Sequence, residues 1–433
     1  MSTLYRPTSA GSLLLISLLS LANSQFAAGG SCPPPLFAPD QLYGAGDFPR
    51  SIAIGQLNSD GFADLVVANE NSNNISVLLN NGNGTFAADV LYASGAHPQA
   101  VAIGDLDGDG DADLVTANTG SGTVSVFKNN GNGTFASAVS FAAGVTPFSI
   151  VIAKLDGDND LDLAVSNAFG GPGISILMNN GNATFAAPVA YAAGSTPSSV
   201  AVADLSGDGA PDLAVANGGF NGSTASILIN NGNGTFAAGV AYAAGQGPEA
   251  VALGDLDDDG DVDLVVANQF GDTISVLRNN GNGTFGPQTT YPTADPVSVA
   301  IGDIDDDGDL DIAVANDSGT DTVSVFLNNG NGTFPAGLPF GTGDGAEWVA
   351  IGDLDNDGDA DLAVANLSSD NASVLLNTCG PQGSPGDLND DGHVNAADLS
   401  ILLGAWGLSA PDLDGNGIVN GGDIAVLLGA WTG

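Results

Sequence analysis

An all-β ring of seven four-stranded blades, with a small helical module after it, is the fold class this sequence predicts. Three observations predict it. The string GDLDGDGDADL at residues 104–114 recurs with starts at Gly55, Ala153, Ala203, Gly254, Gly302 and Gly352, spaced 48–51 residues apart. Each repeat holds four short runs of Val, Ile, Leu and Ala between turn residues, which is the pattern of a propeller blade. The seventh repeat lacks its fourth strand, and a matching strand stands near the chain start.

Taken in order, residues 1–24 read as an export signal. Arg6 gives a weak positive start, residues 13–22 form an apolar run, and Ala22, Asn23 and Ser24 offer small residues for cleavage. That run is about half of what a membrane span needs, so the expectation is a secreted protein. Residues 32–379 are assigned to the β-propeller. In its second repeat, strands are predicted over residues 100–103, 114–117, 124–127 and 135–141. An Asn-Asn-Gly-Asn-Gly turn joins the last two, as a tight hairpin requires. The same need for a turn explains sequons such as Asn83-Gly84-Thr85 better than glycosylation does. Residues 37–43 match 86–92, so the chain start is predicted to complete the last blade and close the ring. Residues 380–385 form a linker, and residues 386–433 a calcium-binding module.

The charge balance narrows the function. The 433 residues carry 50 acidic and 5 basic side chains, a formal charge of −45. A nucleic-acid binder or a protein docking on anionic lipid would need the opposite sign. All but three of the acids are Asp, set beside 63 Gly. Short carboxylates in tight loops suit a hard cation, which takes oxygen ligands that converge on one point.

In the second repeat Asp105, Asp107, Asp109 and Asp113 stand at loop positions 1, 3, 5 and 9, with the main-chain carbonyl of Asp111 at position 7. The loops Asp255, Asp257, Asp259, Asp263; Asp303, Asp305, Asp307, Asp311; and Asp353, Asp355, Asp357, Asp361 keep all four acids. These four are expected to hold calcium. Three loops are weaker: Asn58, Asp60 and Asp64 follow Gln56; Asp156, Asp158 and Asp162 follow Lys154; and Asp204, Asp208 and Asp212 enclose Ser206. Lys154 is expected to replace part of the metal with its ammonium.

Cys32 and Cys379 fall, by counting along the repeat, where Asn81 and Gly82 stand in the first blade. Both lie in the one hairpin turn without a covalent link, so a disulfide is expected there. The repeats resemble the FG-GAP or VCBS type, similar to the propeller of integrin alpha subunits. The resemblance implies calcium in the Asp loops and a role in adhesion or recognition.

At the C-terminus, Asp387, Asn389, Asp391, His393, Asn395 and Asp398 occupy positions 1, 3, 5, 7, 9 and 12 of an EF-hand-like loop. Asp412, Asp414, Asn416, Ile418, Asn420 and Asp423 repeat it, His393 and Ile418 giving main-chain carbonyls. Apolar helices are predicted over residues 399–406 and 424–431. The doubled pattern resembles a type I dockerin, which implies a cohesin-type partner. Two such halves could instead pack as a calcium-stabilised cap.

The sequence therefore predicts a secreted, calcium-binding recognition propeller tethered through a docking module. A carbohydrate-binding or carbohydrate-degrading component is the alternative. No nucleophile stands with a base, and no catalytic residue is assigned. On the face opposite the Asp loops, Arg50, His97, Phe148, Glu249 and Glu347 precede or open the first strands. Trp348 takes a place held by Ser or Ala in the other repeats. These residues are the expected ligand site, with Trp348 either its floor or a plug in the channel.

Overall fold

The computed structural model describes residues 36–171, 173–219, 222–317, 319, 321–378, 388, 396–406 and 419–429. The expected export signal, Cys32, Cys379, Asp387, Asn389, Asp391, His393, Asn395, Asp412, Asp414, Asn416 and Ile418 lie outside them.

Seven four-stranded antiparallel sheets form, one per repeat. The first blade runs outward through Pro49–Gly55, Asp64–Asn69, Asn74–Leu78 and Val90–Ala93. Each inner strand lies against the inner strands of both neighbours around a closed circle. The second strand is buried along its whole length in every blade. Its apolar residues on both faces explain this, because each blade is covered on both sides. The core is accordingly seven slabs between blades. In one, Leu57, Val66 and Ile75 of the first blade meet Val101, Leu114 and Phe127 of the second.

The ring closes as expected. The last blade takes Ala346–Gly352, Asp361–Asn366 and Asn371–Leu375 from the chain end and Gln41–Gly44 from its start. Phe37 bridges Asn377 as Phe86 bridges Asn80.

Two expectations shift. The outer strand predicted over residues 135–141 is divided: Phe135 makes an isolated bridge with Asn129, and the strand proper is Val139–Ala142. Phe135 is buried and Val139 exposed, so the chain leaves the core between them. The helices also begin earlier than the apolar runs, at Ala396–Gly404 (α1) and Gly421–Gly429 (α2). Asp398 thus sits in the first turn of α1, where a carboxylate faces the positive end of the helix dipole. Its Oδ1 accepts the Leu388 N–H at 2.8 Å. Leu402, Val419 and Leu427 form a small core between the helices. No helix among the described residues is long and apolar enough to cross a membrane.

Candidate functional site

The Asp loops and the Asn-Gly turns share one face, because antiparallel strands send alternate connections the same way. Position 9 of the loop ties the two together in all seven blades. Asp64, Asp113, Asp162, Asp212, Asp263, Asp311 and Asp361 are all buried. One carboxylate oxygen of each accepts the N–H of position 2, at 2.7–3.4 Å. The other accepts the N–H of an Asn 16–18 residues on, at 2.6–2.8 Å. That Asn is the first of the Asn-Asn-Gly turn, except in the last blade, where Asn377 takes the place. Its Nδ2 donates to the position-2 carbonyl of the preceding blade at 2.7–2.9 Å, closing a circuit around the ring. Burial pushes the Asp113 and Asp162 carboxyls up to about 6, and those of Asp311 and Asp361 up to about 7.

The loops differ in what the other acids do. Among the described residues, four groups bring three carboxylate oxygens within 4.8 Å of one another: Asp105, Asp107, Asp113; Asp255, Asp257, Asp259; Asp303, Asp305, Asp311; and Asp353, Asp355, Asp357. These are the four loops with acid at every position. Asp109, Asp263, Asp307 and Asp361 stand outside the tight groups of their loops. Asp111 does too, and its carboxylate lies against Gly131 in the hairpin turn.

Buried oxygens of Asp255, Asp257, Asp303, Asp305, Asp355 and Asp359 have no hydrogen-bond partner. Leaving such a group unpaired is costly, and a hard cation would satisfy it. Burial, with neighbouring acids adding to it, raises Asp305 and Asp359 to about 7 and Asp355 to about 6. The residues present therefore fit a divalent cation.

The three weaker loops make the same internal bonds as the acid-rich ones, where Asp105 accepts the N–H groups of Gly108 and Gly110. Among the described residues, however, they bring no three carboxylates together. Asp60 accepts from Asn58 and from the Phe62 N–H. Asp204 accepts the N–H groups of Gly207, Asp208 and Gly209. Asp156 and Asp158 accept those of Asp158 and Asp160. Lys154 is exposed and makes no ion pair among the described residues, so it does not stand in for a metal. Lys128 does meet an acid group, with Nζ 2.9 Å from Asp107 Oδ2.

On the opposite face, Arg50, Gln99, Phe148, Ser198, Glu249, Val297 and Glu347 gather with Trp348 around one mouth of the channel. Each of the seven stands at the same place, directly after Pro49, Pro98, Pro147, Pro197, Pro248, Pro296 or Ala346. The pairing register shifts at that place in every blade. A bulge of this kind re-aims a side chain, here toward the axis. Arg50 Nε lies 2.6 Å from Glu70 Oε2, and its Nη1 pairs with Glu347. Desolvation raises the Glu249 carboxyl to about 7, and nearby Glu347 adds to it. Trp348 lines both this mouth and a cavity of about 350 Å³ beneath it, walled by Ser149, Ser199, Val200 and Val251.

Arg50, Phe148, Glu249, Glu347 and Trp348, named from the sequence, line this one mouth. His97 does not join them. It precedes Pro98 rather than following it, is half exposed, and reaches only Glu70, with Nδ1 3.5 Å from Oε1. Gln99, Ser198 and Val297 belong to the ring and escaped notice. The signal for them is the residue after each Pro. Phe169 and Phe270 stand exposed on loops of the same face.

Solved structures share the architecture. The BBS1N domain, solved in complex with ARL6DN, is 13% identical with a TM-score of 0.56, covering 79% of this chain and 96% of that one. A protein of unknown function from Desulfotomaculum acetoxidans is 16% identical with a TM-score of 0.50, covering 70% and 89%. A lectin from Agrocybe aegerita that recognises non-reducing terminal N-acetylglucosamine is 21% identical with a TM-score of 0.49, covering 74% and 86%. No curated protein matches the chain. Six overlapping segments, residues 56–116, 105–165, 155–215, 207–266, 255–314 and 303–364, match the FG-GAP-like repeat. These segments span most of the chain, which belongs to the FG-GAP-like repeat family.

Proposed function

We propose that this protein is a secreted recognition propeller, stiffened by calcium on one face and binding its ligand at the channel mouth on the other. The observation that carries the reading is the bulge ring. Its seven positions hold six residue types, only Glu occurring twice, on an otherwise repetitive scaffold, and a Trp floors it. Variation at one place in a uniform frame is what a binding site needs. Calcium would be held by the loops at Asp105, Asp255, Asp303 and Asp353, where it supplies the charge that the crowded carboxylates lack. A carbohydrate ligand fits the Trp floor as a second class, and the reading assigns no reaction.

The C-terminal pair of helices shares the small core Leu402, Val419 and Leu427, which a docking module and a cap would both have. The docking role rests on the doubled loop pattern of the sequence. A cohesin-type protein or cell-surface scaffold is the partner class this reading names. The test is an array of glycans and peptides probed with calcium and with chelator. Trp348→Ala and Arg50→Ala should lose the bound ligand about tenfold or more while keeping the calcium-bound fold. Wild-type binding by both variants would overturn the assignment of the mouth.

A further inference from the structure

The third strand of each blade runs into a residue just before the Asn-Asn turn: Leu79, Lys128, Met178, Ile229, Arg278, Leu327 and Leu376. This position makes a contact between blades. Leu79 lies against Gly133, Met178 against Gly234, Ile229 against Gly283 and Leu376 against Gly84, each in the next blade's turn. Two of the seven are cations, and both reach into an acid group. Lys128 Nζ donates to Asp107 Oδ2 at 2.9 Å and to the Asn182 carbonyl at 2.9 Å. Arg278 Nη1 lies 2.5 Å from Asp263 Oδ2 and 3.1 Å from Asp257 Oδ2, while Nη2 donates to the Asn331 carbonyl at 2.9 Å.

Asp107 and Asp257 are both position 3 of their loops. The same position in blades six and seven is Asp305 and Asp355. There the residue before the turn is Leu327 or Leu376, and neither acid meets a cation among the described residues. Asp305 and Asp359 are only 3% and 4% exposed. Each holds a buried oxygen without a partner, as do Asp303 and Asp355. No oxygen of the Asp105 loop is left so, and Lys128 is the reason for Asp107. In the Asp255 loop one oxygen each of Asp255 and Asp257 stays unpartnered, because Arg278 meets only the other Asp257 oxygen and Asp263, so its substitution for the metal is partial.

We propose that Lys128 and Arg278 are built-in cations that do part of the metal's work in blades two and five, so that tight divalent binding belongs to the loops at Asp303 and Asp353. The inference rests on the calcium reading above. Its physical basis is competition: an ammonium or guanidinium on position 3 must be displaced, or share its carboxylate, when a dication enters. The same side chains tie each loop to the next blade's turn, so blades two and five stay clamped without metal.

The test is calorimetric titration of the full chain with calcium, beside melting curves in chelator. Wild type should bind tightly at the loops of blades six and seven, and Asp305→Asn and Asp355→Asn should each abolish one of those events. Lys128→Met and Arg278→Met should each tighten a further loop by about tenfold or more. Both variants should also melt lower than wild type in chelator, with calcium restoring the difference. Met already stands at this position in the third blade, so the fold accepts it. Calcium binding in wild type with no change in either variant would overturn this inference alone. Absence of calcium binding in wild type and variants would overturn it together with the calcium reading.

Discussion

Glu249 illustrates what a bulge costs a single side chain. The bulge turns its carboxyl toward an axis already occupied by Glu347, and Arg50 is committed to Glu70 and Glu347. Its folded value, about 7, lies above the ordinary 4.5. An acid raised on folding contributes its stability fully below the ordinary value and loses it as pH rises through the folded one. The penalty therefore develops between about 4.5 and 7 and is complete above that window. Glu249→Gln carries no charge at any pH. It should match wild type near pH 4 and exceed it at pH 8 by about 1–2 kcal/mol, allowing for water at the mouth. Denaturant midpoints of the two proteins across that range check the sign. A constant difference would mean that Glu249 is not charged at the cost of the fold.

The element that repeats most faithfully is the loop-and-turn pair, and its hydrogen bonds argue a second prediction. Asn179 and Asn180 are neighbours in one turn with different work. Asn179 is buried and its Nδ2 holds the carbonyls of Leu106 and Leu161 at 2.8 and 3.0 Å. Asn180 is exposed and bonds only Thr184. Asn179→Ala takes this donor from the Leu161 carbonyl and leaves the Leu106 carbonyl to the Ala183 N–H alone, at 2.9 Å. It should cost about 1–3 kcal/mol, against less than about 1 kcal/mol for Asn180→Ala. Equal costs, read from denaturant midpoints, would deny the staple.

This element also shows what sequence alone could disclose. The four acid groups were legible, because carboxylates at alternate loop positions converge wherever the loop folds back. The second task of position 9 was not. Its Asn partner lies 16–18 residues away in an adjacent turn, and both Asn residues of that turn recur in six blades, with only the seventh keeping the first alone. Repetition without a pattern of burial cannot say which one faces inward. His97 misled for a related reason: it is two places from Gln99, and only the bulge decides which side chain reaches the axis. The substitute cation was foreseen at Lys154, inside a loop, whereas the geometry places it on the neighbouring hairpin, where a long side chain can reach down onto position 3.

At the scale of the whole molecule the ring is held by a repeated aromatic contact. Seven edge-to-face pairs link each outer strand to the next blade: Tyr43–Phe86, Tyr92–Phe135, Phe141–Phe185, Tyr191–Phe236, Tyr242–Phe285, Tyr291–Phe334 and Phe340–Phe37. Their centroids are 5.0–5.5 Å apart, within the favourable range for such pairs. Phe37 and Phe236 are equally buried, at 6% and 7% exposure. Truncating either to Ala should cost about 3–5 kcal/mol. The consequences should nevertheless differ in kind. Phe236 is tethered to its blade by the Asn-Gly turn, so its loss leaves the outer strand attached. Phe37 precedes the strand Gln41–Gly44, whose partner Asn371–Leu375 lies more than 320 residues away in sequence. Within the ring the strand Gln41–Gly44 is held by the short link to Pro49. The turn that tethers the other outer strands is replaced by the disulfide the sequence predicts, so the comparison is made with thiols reduced. Phe37→Ala should therefore release that strand as a unit, with amides of Asn371–Leu375 exchanging with solvent far faster than in wild type. In Phe236→Ala, the corresponding strand Thr224–Leu228 should show the smaller acceleration. Equal exchange in the two variants would mean that the seam between chain start and chain end is no weaker than any other join in the ring.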